Sequence, residues 1–251
     1  MGLILGILAG VLFLFCAGGG VAGYFIYQSV NTSAEKIASN NNLKQIGLAA
    51  HNYHDIHGGL PTNSYSATGQ PLLSWRVHIL PYVEQSNLYM QFNLNEPWDG
   101  PTNKRLLASM PSIYATPEQR KAKTSVSTTF YRGFSNPGAV FARKNANQQF
   151  GFDNINELPP TPKGISFGRM TDGLSNTILV IEAGEPVEWT KPDDLDASLG
   201  KPFPKLGGIR PKDSVICVGL CDGSVRMMKR TTSETTWRAM ISTSGGEAIF
   251  E

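Results

Sequence analysis

Three of the four histidines in this 251-residue chain fall at a strict three-residue spacing in "HNYHDIHGG", residues 51–59. On a helix His51, His54 and His57 step round by about 60° each, while His51 and Asp55 stand one turn apart. A histidine and a carboxylate four residues apart can share a metal ion, so His51 and Asp55 are the candidate pair. The bland reading is stronger: His51 and His57 diverge too far to hold one ion, and Gly58 and Gly59 end the helix there. Neither metal nor other cofactor is expected.

No other segment assembles a catalytic set. "GFSNP" (133–137) and "GLSNT" (173–177) lack the spacing of a nucleophile elbow and read as turns. Asp172 and Asp222 each precede glycine, which suits side-chain-closed turns better than calcium. Trp75, Trp98, Trp189 and Trp237 read as core or interface anchors, and a pocket lined by the first three would point to ligand binding. The chain carries 22 basic and 20 acidic residues without blocks, a net charge of +2. That balance gives no footprint for nucleic acid. Of the three cysteines, Cys217 and Cys221 sit four apart in a strand, about 13 Å between α-carbons, too far to bridge.

The elements that position these residues begin with an apolar run, Gly2 to Tyr27, and the first formal charge is Glu35. As a helix it spans about 39 Å against about 30 Å of bilayer hydrocarbon, and it reads as an uncleaved anchor with the lipid bilayer as partner. Gly2, Gly6 and Gly10, then Gly19 and Gly23, have the spacing of close contacts between membrane helices, including those of a homo-oligomer. Beyond the run, Leu43, Ile46, Ala50 and Tyr53 alternate spacings of three and four, the stripe of an amphipathic helix. The expected organisation is an anchor over 1–29, a stem helix over 30–57 and a globular domain over 58–251.

Within the domain an apolar run covers Trp75 to Leu80. Short helices follow Pro81 and the "PWDGP" turn, a strand lies around Phe130, and a second strand over Thr177 to Glu182 leads into a surface connection to 212. In "SVICVGLCDGSVRMMKR" a two-residue Asp222-Gly223 turn pairs Leu220 with Val225 and Val218 with Met227 on one face. Thr231 and Glu234 then form a capping-box pattern ahead of Trp237, Met240 and Ile241.

Four blocks, "NNLKQIGLAAHNYHDIHGGLPTN", "SWRVHILPYVEQSNLY", "FGRMTDGLSNTILVIEAGEPVEWTKPDDL" and "CDGSVRMMKRTTSETTWRAM", resemble in order the DUF1559 (SBP_bac_10) family of planctomycete pilin- and type II secretion pseudopilin-like proteins. The resemblance implies an α+β fold: a transmembrane helix continuing into a long stem, packed on an antiparallel β-rich domain outside the cytoplasmic membrane. It implies a structural or interaction role in the cell envelope, with a pilus-like assembly as one form, and the family's label hints instead at a tethered ligand- or solute-binding module. Members carry a prepilin leader and a cysteine-proline pair; here "MGLILGILAG" stands at the start and Ala115, Thr116 and Pro117 replace the pair, so neither leader processing nor a disulfide there is expected.

Overall fold

The computed structural model describes residues 33–121, 127–142, 162–211 and 213–245. Contacts divide the chain into two compact units, Met1–Ala38 and Ser39–Glu251. The second holds the elements that matter for function.

Helix α1 covers residues 33–57. Its inward stripe follows the sequence periodicity: Leu43, Ile46, Ala50 and Tyr53 are each no more than 1% exposed. Gly58 stops it by turning left-handed (φ 70°) while its N–H closes on the His54 carbonyl at 2.7 Å. Four strands follow in one antiparallel sheet in chain order: β1 (Thr128–Arg132), β2 (Ile178–Glu188), β3 (Val215–Leu220) and β4 (Val225–Lys229). One face packs on α1 through Val180, Cys217 and Cys221. The other packs through Ile181, Ile216, Val218 and Leu220 against Trp237, Met240 and Ile241 of a C-terminal helix, Glu234–Ile241.

The segment between α1 and β1 is built of single turns rather than long elements. The buried run is α2 (Trp75–His78), and α3 (Ser86–Tyr89) and α4 (Pro117–Lys121) are equally short, which makes the C-terminal helix α5. The helix expected before Pro111 is a 3₁₀ segment, Asn103–Ser109.

Four expectations are corrected. Among the described residues no helix is long and apolar enough to cross a membrane. The outer face of α1 carries Lys44, Gln45, Asn52 and Asp55, whose transfer into hydrocarbon is prohibitive. The transmembrane part of the expected fold, and with it the single-pass placement in the cytoplasmic membrane, is therefore withdrawn. The helix and the antiparallel sheet of the α+β expectation are present. Residues 1–29 and the contacts assigned to Gly2, Gly6, Gly10, Gly19 and Gly23 lie outside the described residues.

The hairpin register is shifted by one. Gly219 faces Val225 and Cys217 faces Met227, because the loop has three residues rather than two. Leu220 closes on both Gly223 (N–H to carbonyl, 3.0 Å) and Ser224 (2.9 Å), and Gly223 adopts φ 81°. This is a type I turn followed by a left-handed residue, and the added residue moves β4's whole side-chain set to opposite faces from those expected. Strand β2 runs on to Glu188 where a surface connection was expected, burying Ala183 and Val187. Ser233, rather than Thr231, caps α5, its hydroxyl accepting the Thr236 N–H.

Candidate functional site

The three histidines do not converge. Each ties α1 to a different part of the chain. The His51 ring donates from Nε2 to the Cys221 carbonyl at 2.8 Å, beside the closest approach of helix and hairpin, where a Cβ on Gly47 would stand 3.2 Å from the Gly223 Cα. His54 Nε2 accepts the Phe167 N–H at 3.2 Å, which puts its proton on Nδ1, and its ring stacks on Phe167. His57 Nε2 meets the Tyr82 hydroxyl at 2.8 Å. The candidate metal pair is not assembled: His51 spends Nε2 on a carbonyl, and the carboxylate of Asp55 lies 3.6 Å from His54 Nδ1. Among the described residues no group of three or more His, Cys, Asp or Glu side chains could hold a metal.

The fourth histidine, His78, is buried in α2 with Nε2 against the Ser64 hydroxyl at 3.1 Å. Burial, with His57 adding a smaller push, lowers its pKa to about 3. The tryptophans likewise serve the core. Trp75 and Trp189 are 1% and 0% exposed, and Trp98 lies partly buried beneath the Lys191 ammonium.

Two buried charge clusters escaped the sequence reading. Asp194 Oδ1 accepts from the Gly133 N–H (3.0 Å), the Trp75 indole (3.2 Å) and Arg76 Nη2 (3.4 Å), and Oδ2 accepts from Asn63 Nδ2 (2.7 Å). Arg76, also fully buried, donates from Nε and Nη2 to the Tyr131 carbonyl and from Nη1 to the Ser74 hydroxyl. Burial lowers the Arg76 pKa against the opposing pull of Asp194.

In the second cluster Glu182 of β2 accepts from Ser39 (2.5 Å), from Arg210, and from the Cys217 N–H (3.1 Å). Arg210 also meets Glu118 at 2.8 Å. Burial pulls the Arg210 guanidinium down, but the Glu182 and Glu118 carboxylates more than offset it and raise its pKa. The Tyr131 hydroxyl, 2.7 Å from Ser39, is pushed up by burial. Most polar atoms of these groups are engaged with one another and tie loops to the sheet; among the described residues Glu118 Oε2 and Arg210 Nε make no hydrogen bond, Nε lying 3.4 Å from Asp213 Oδ2. The sequence signal for both was a charge inside an apolar run, Arg76 in "SWRVHIL" and Glu182 in "ILVIEA".

Leu48 and Ile56 on the outer face of α1 are 61% and 69% exposed. Beside Leu48 runs a groove of about 310 Å³ walled by Tyr82, Val83, Pro111 and Ile113. A cleft of about 420 Å³ lies against Trp237, Phe203 and Leu206, where Arg230 spends its guanidinium on the carbonyls of Leu206, Gly207, Arg210 and Asp213.

A family model described as a protein of unknown function, DUF1559 (SBP_bac_10), matches residues 28–204. The chain belongs to the DUF1559 family. The match takes in α1, β1, β2 and both members of the Arg76–Asp194 pair, and it ends before β3, β4 and α5. The DUF1559 match thus includes the histidine row but not the Cys221 carbonyl that His51 reaches. No curated protein and no solved structure matches the chain.

Proposed function

We propose that this DUF1559 chain is a non-enzymatic structural or interaction module whose working surface is the outer face of α1. The observation that carries the reading is the pair of large apolar side chains, Leu48 and Ile56, held in water on a helix whose opposite stripe is anchored in the core. Exposed apolar groups beside a groove mark a surface that is covered in use. The titratable clusters support the same reading, because most of their polar atoms are engaged in tying loops to the sheet. From the pilin-like expectation the proposal keeps one element, an amphipathic helix laid along an antiparallel sheet as a platform for assembly. The ligand-binding alternative draws little support, since Trp75 and Trp189 are sealed in the core.

Photocrosslinking from benzoylphenylalanine placed at position 48 or 56 tests this in cells. The expected result is one discrete adduct shared by both positions and absent from position 185, and abolished by Leu48→Glu or Ile56→Glu at the other position. Absence of an adduct from either position overturns the proposal.

A further inference from the structure

The two edges of the sheet are treated differently. On β1 the outward carbonyls are capped: Gln119 Nε2 donates to Thr128 at 2.9 Å, and Arg76 donates twice to Tyr131 at 2.9 and 2.8 Å. Leu195 then pairs with the backbone of Gly133 and Ser135. That is how folded proteins blunt an edge strand.

Among the described residues strand β4 has no such cover. Leu220 donates to Ser224 and Arg230 to Ser214, which fixes the ladder phase: Ser224, Arg226, Met228 and Arg230 exchange bonds with β3. Val225, Met227 and Lys229 therefore aim their N–H and C=O groups away from the sheet. Among the described residues those of Val225 and Met227 meet no partner, while the Lys229 carbonyl accepts one bond from Thr232. Met227 is 56% exposed.

We propose that β4 is a self-association edge, and that its occupant is β4 of a second copy, running antiparallel about a two-fold axis at Met227. The sequence of the strand argues for this partner. Centred on Met227, the register sets Met227 against Met227, Val225 against Lys229 and Arg226 against Met228. The residues with outward backbone groups then face each other and can exchange six hydrogen bonds, the Lys229 carbonyl using its second lone pair. Neither Arg226 nor Lys229 is set directly opposite a like charge, and each lies across from an apolar side chain. The joined ribbon makes one continuous sheet of eight strands. This surface is separate from α1's outer face and stands or falls independently of it.

The experiment is sedimentation velocity on the full chain together with disulfide trapping. Across the axis the two Met227 α-carbons come within about 5.5 Å, inside the range a disulfide spans. In a Cys16→Ser background, with Cys217 and Cys221 buried, Met227→Cys is expected to give a reducible dimer under mild oxidation, and Glu185→Cys is not. Met227→Lys, which sets two ammonium groups opposite each other on a side chain that faces water, is expected to weaken dimerisation about tenfold with the melting temperature retained. Leu48→Glu leaves this dimer intact. A chain that stays monomeric, or a dimer that neither traps through Met227→Cys nor responds to Met227→Lys, overturns the inference.

Discussion

The substitution Asp194→Asn changes one atom, yet the geometry around that carboxylate leaves the amide no good orientation. If its nitrogen takes the place of Oδ1, it faces three donors, the Gly133 N–H, the Trp75 indole and Arg76. If it takes the place of Oδ2, it faces the Asn63 amide nitrogen. Flipping Asn63 to help turns its nitrogen on the Trp75 backbone N–H, which Asn63 Oδ1 now accepts at 3.0 Å. One donor thus always meets another, a cost of about 1–3 kcal/mol. The substitution also strips the counter-ion from Arg76, both side chains being 0% exposed, and breaking such a pair costs about 3–5 kcal/mol. Together these reach about 4–8 kcal/mol, a large part of the stability of about 5–15 kcal/mol typical of a native protein. The neighbouring Asp193→Asn is the control: its carboxylate is 39% exposed beside Arg132, and such pairs contribute about 1 kcal/mol or less. Urea unfolding followed by circular dichroism reads both. A loss below about 1.5 kcal/mol for Asp194→Asn, or equal losses for the two aspartates, would refute the reasoning.

Two further outcomes follow from buried charges. Arg210→Met leaves the Glu182 carboxylate, 1% exposed, without its cation, at an expected cost of about 3–5 kcal/mol; adding Glu182→Gln recovers part of it, and a double variant no more stable than the single one counts against the pairing. His78 supplies the pH dependence. Its imidazole stays neutral in the fold down to about 3, whereas an unfolded histidine titrates near 6.5. The unfolded chain therefore binds the extra proton across that window. The contribution is fully present above about pH 6.5 and falls away by about 1.4 kcal/mol per unit as pH drops toward 3. Urea midpoints for the native chain and His78→Asn between neutral and mildly acid pH are expected to converge on acidification, and parallel curves count against this.

The elements legible in the sequence were those fixed by local periodicity. The stripe Leu43, Ile46, Ala50 and Tyr53 buries as its spacing requires, and Gly58 stops the helix. The hairpin was legible as a hairpin but not in register, because Asp-Gly serves both a two-residue turn and a type I turn closed by a left-handed glycine. Only the long-range contacts choose between them, through Gly47 seated on Gly223 and His51 on Cys221. The buried charges were illegible for the same reason. "KPDDL" holds one surface aspartate and one buried one, and nothing local distinguishes Asp193 from Asp194; the distinction is made by Arg76 and Asn63, more than a hundred residues earlier. The histidine spacing, read as a possible metal pair, records instead three separate attachments of one helix.

Those attachments also order events in time. His57 reaches a partner 25 residues later, His54 one 113 residues later and His51 one 170 residues later. A ribosome adding about 5–20 residues per second needs on the order of ten seconds or more to make the last of these available. Until the hairpin emerges, the apolar stripe of α1 has only the β1–β2 part of the sheet to lie on and lacks Cys217 and Cys221. The loop-closure entropy of that distant contact must also be met before the helix is locked. The 170-residue separation of that contact places refolding from urea in the slow range set by distant contacts.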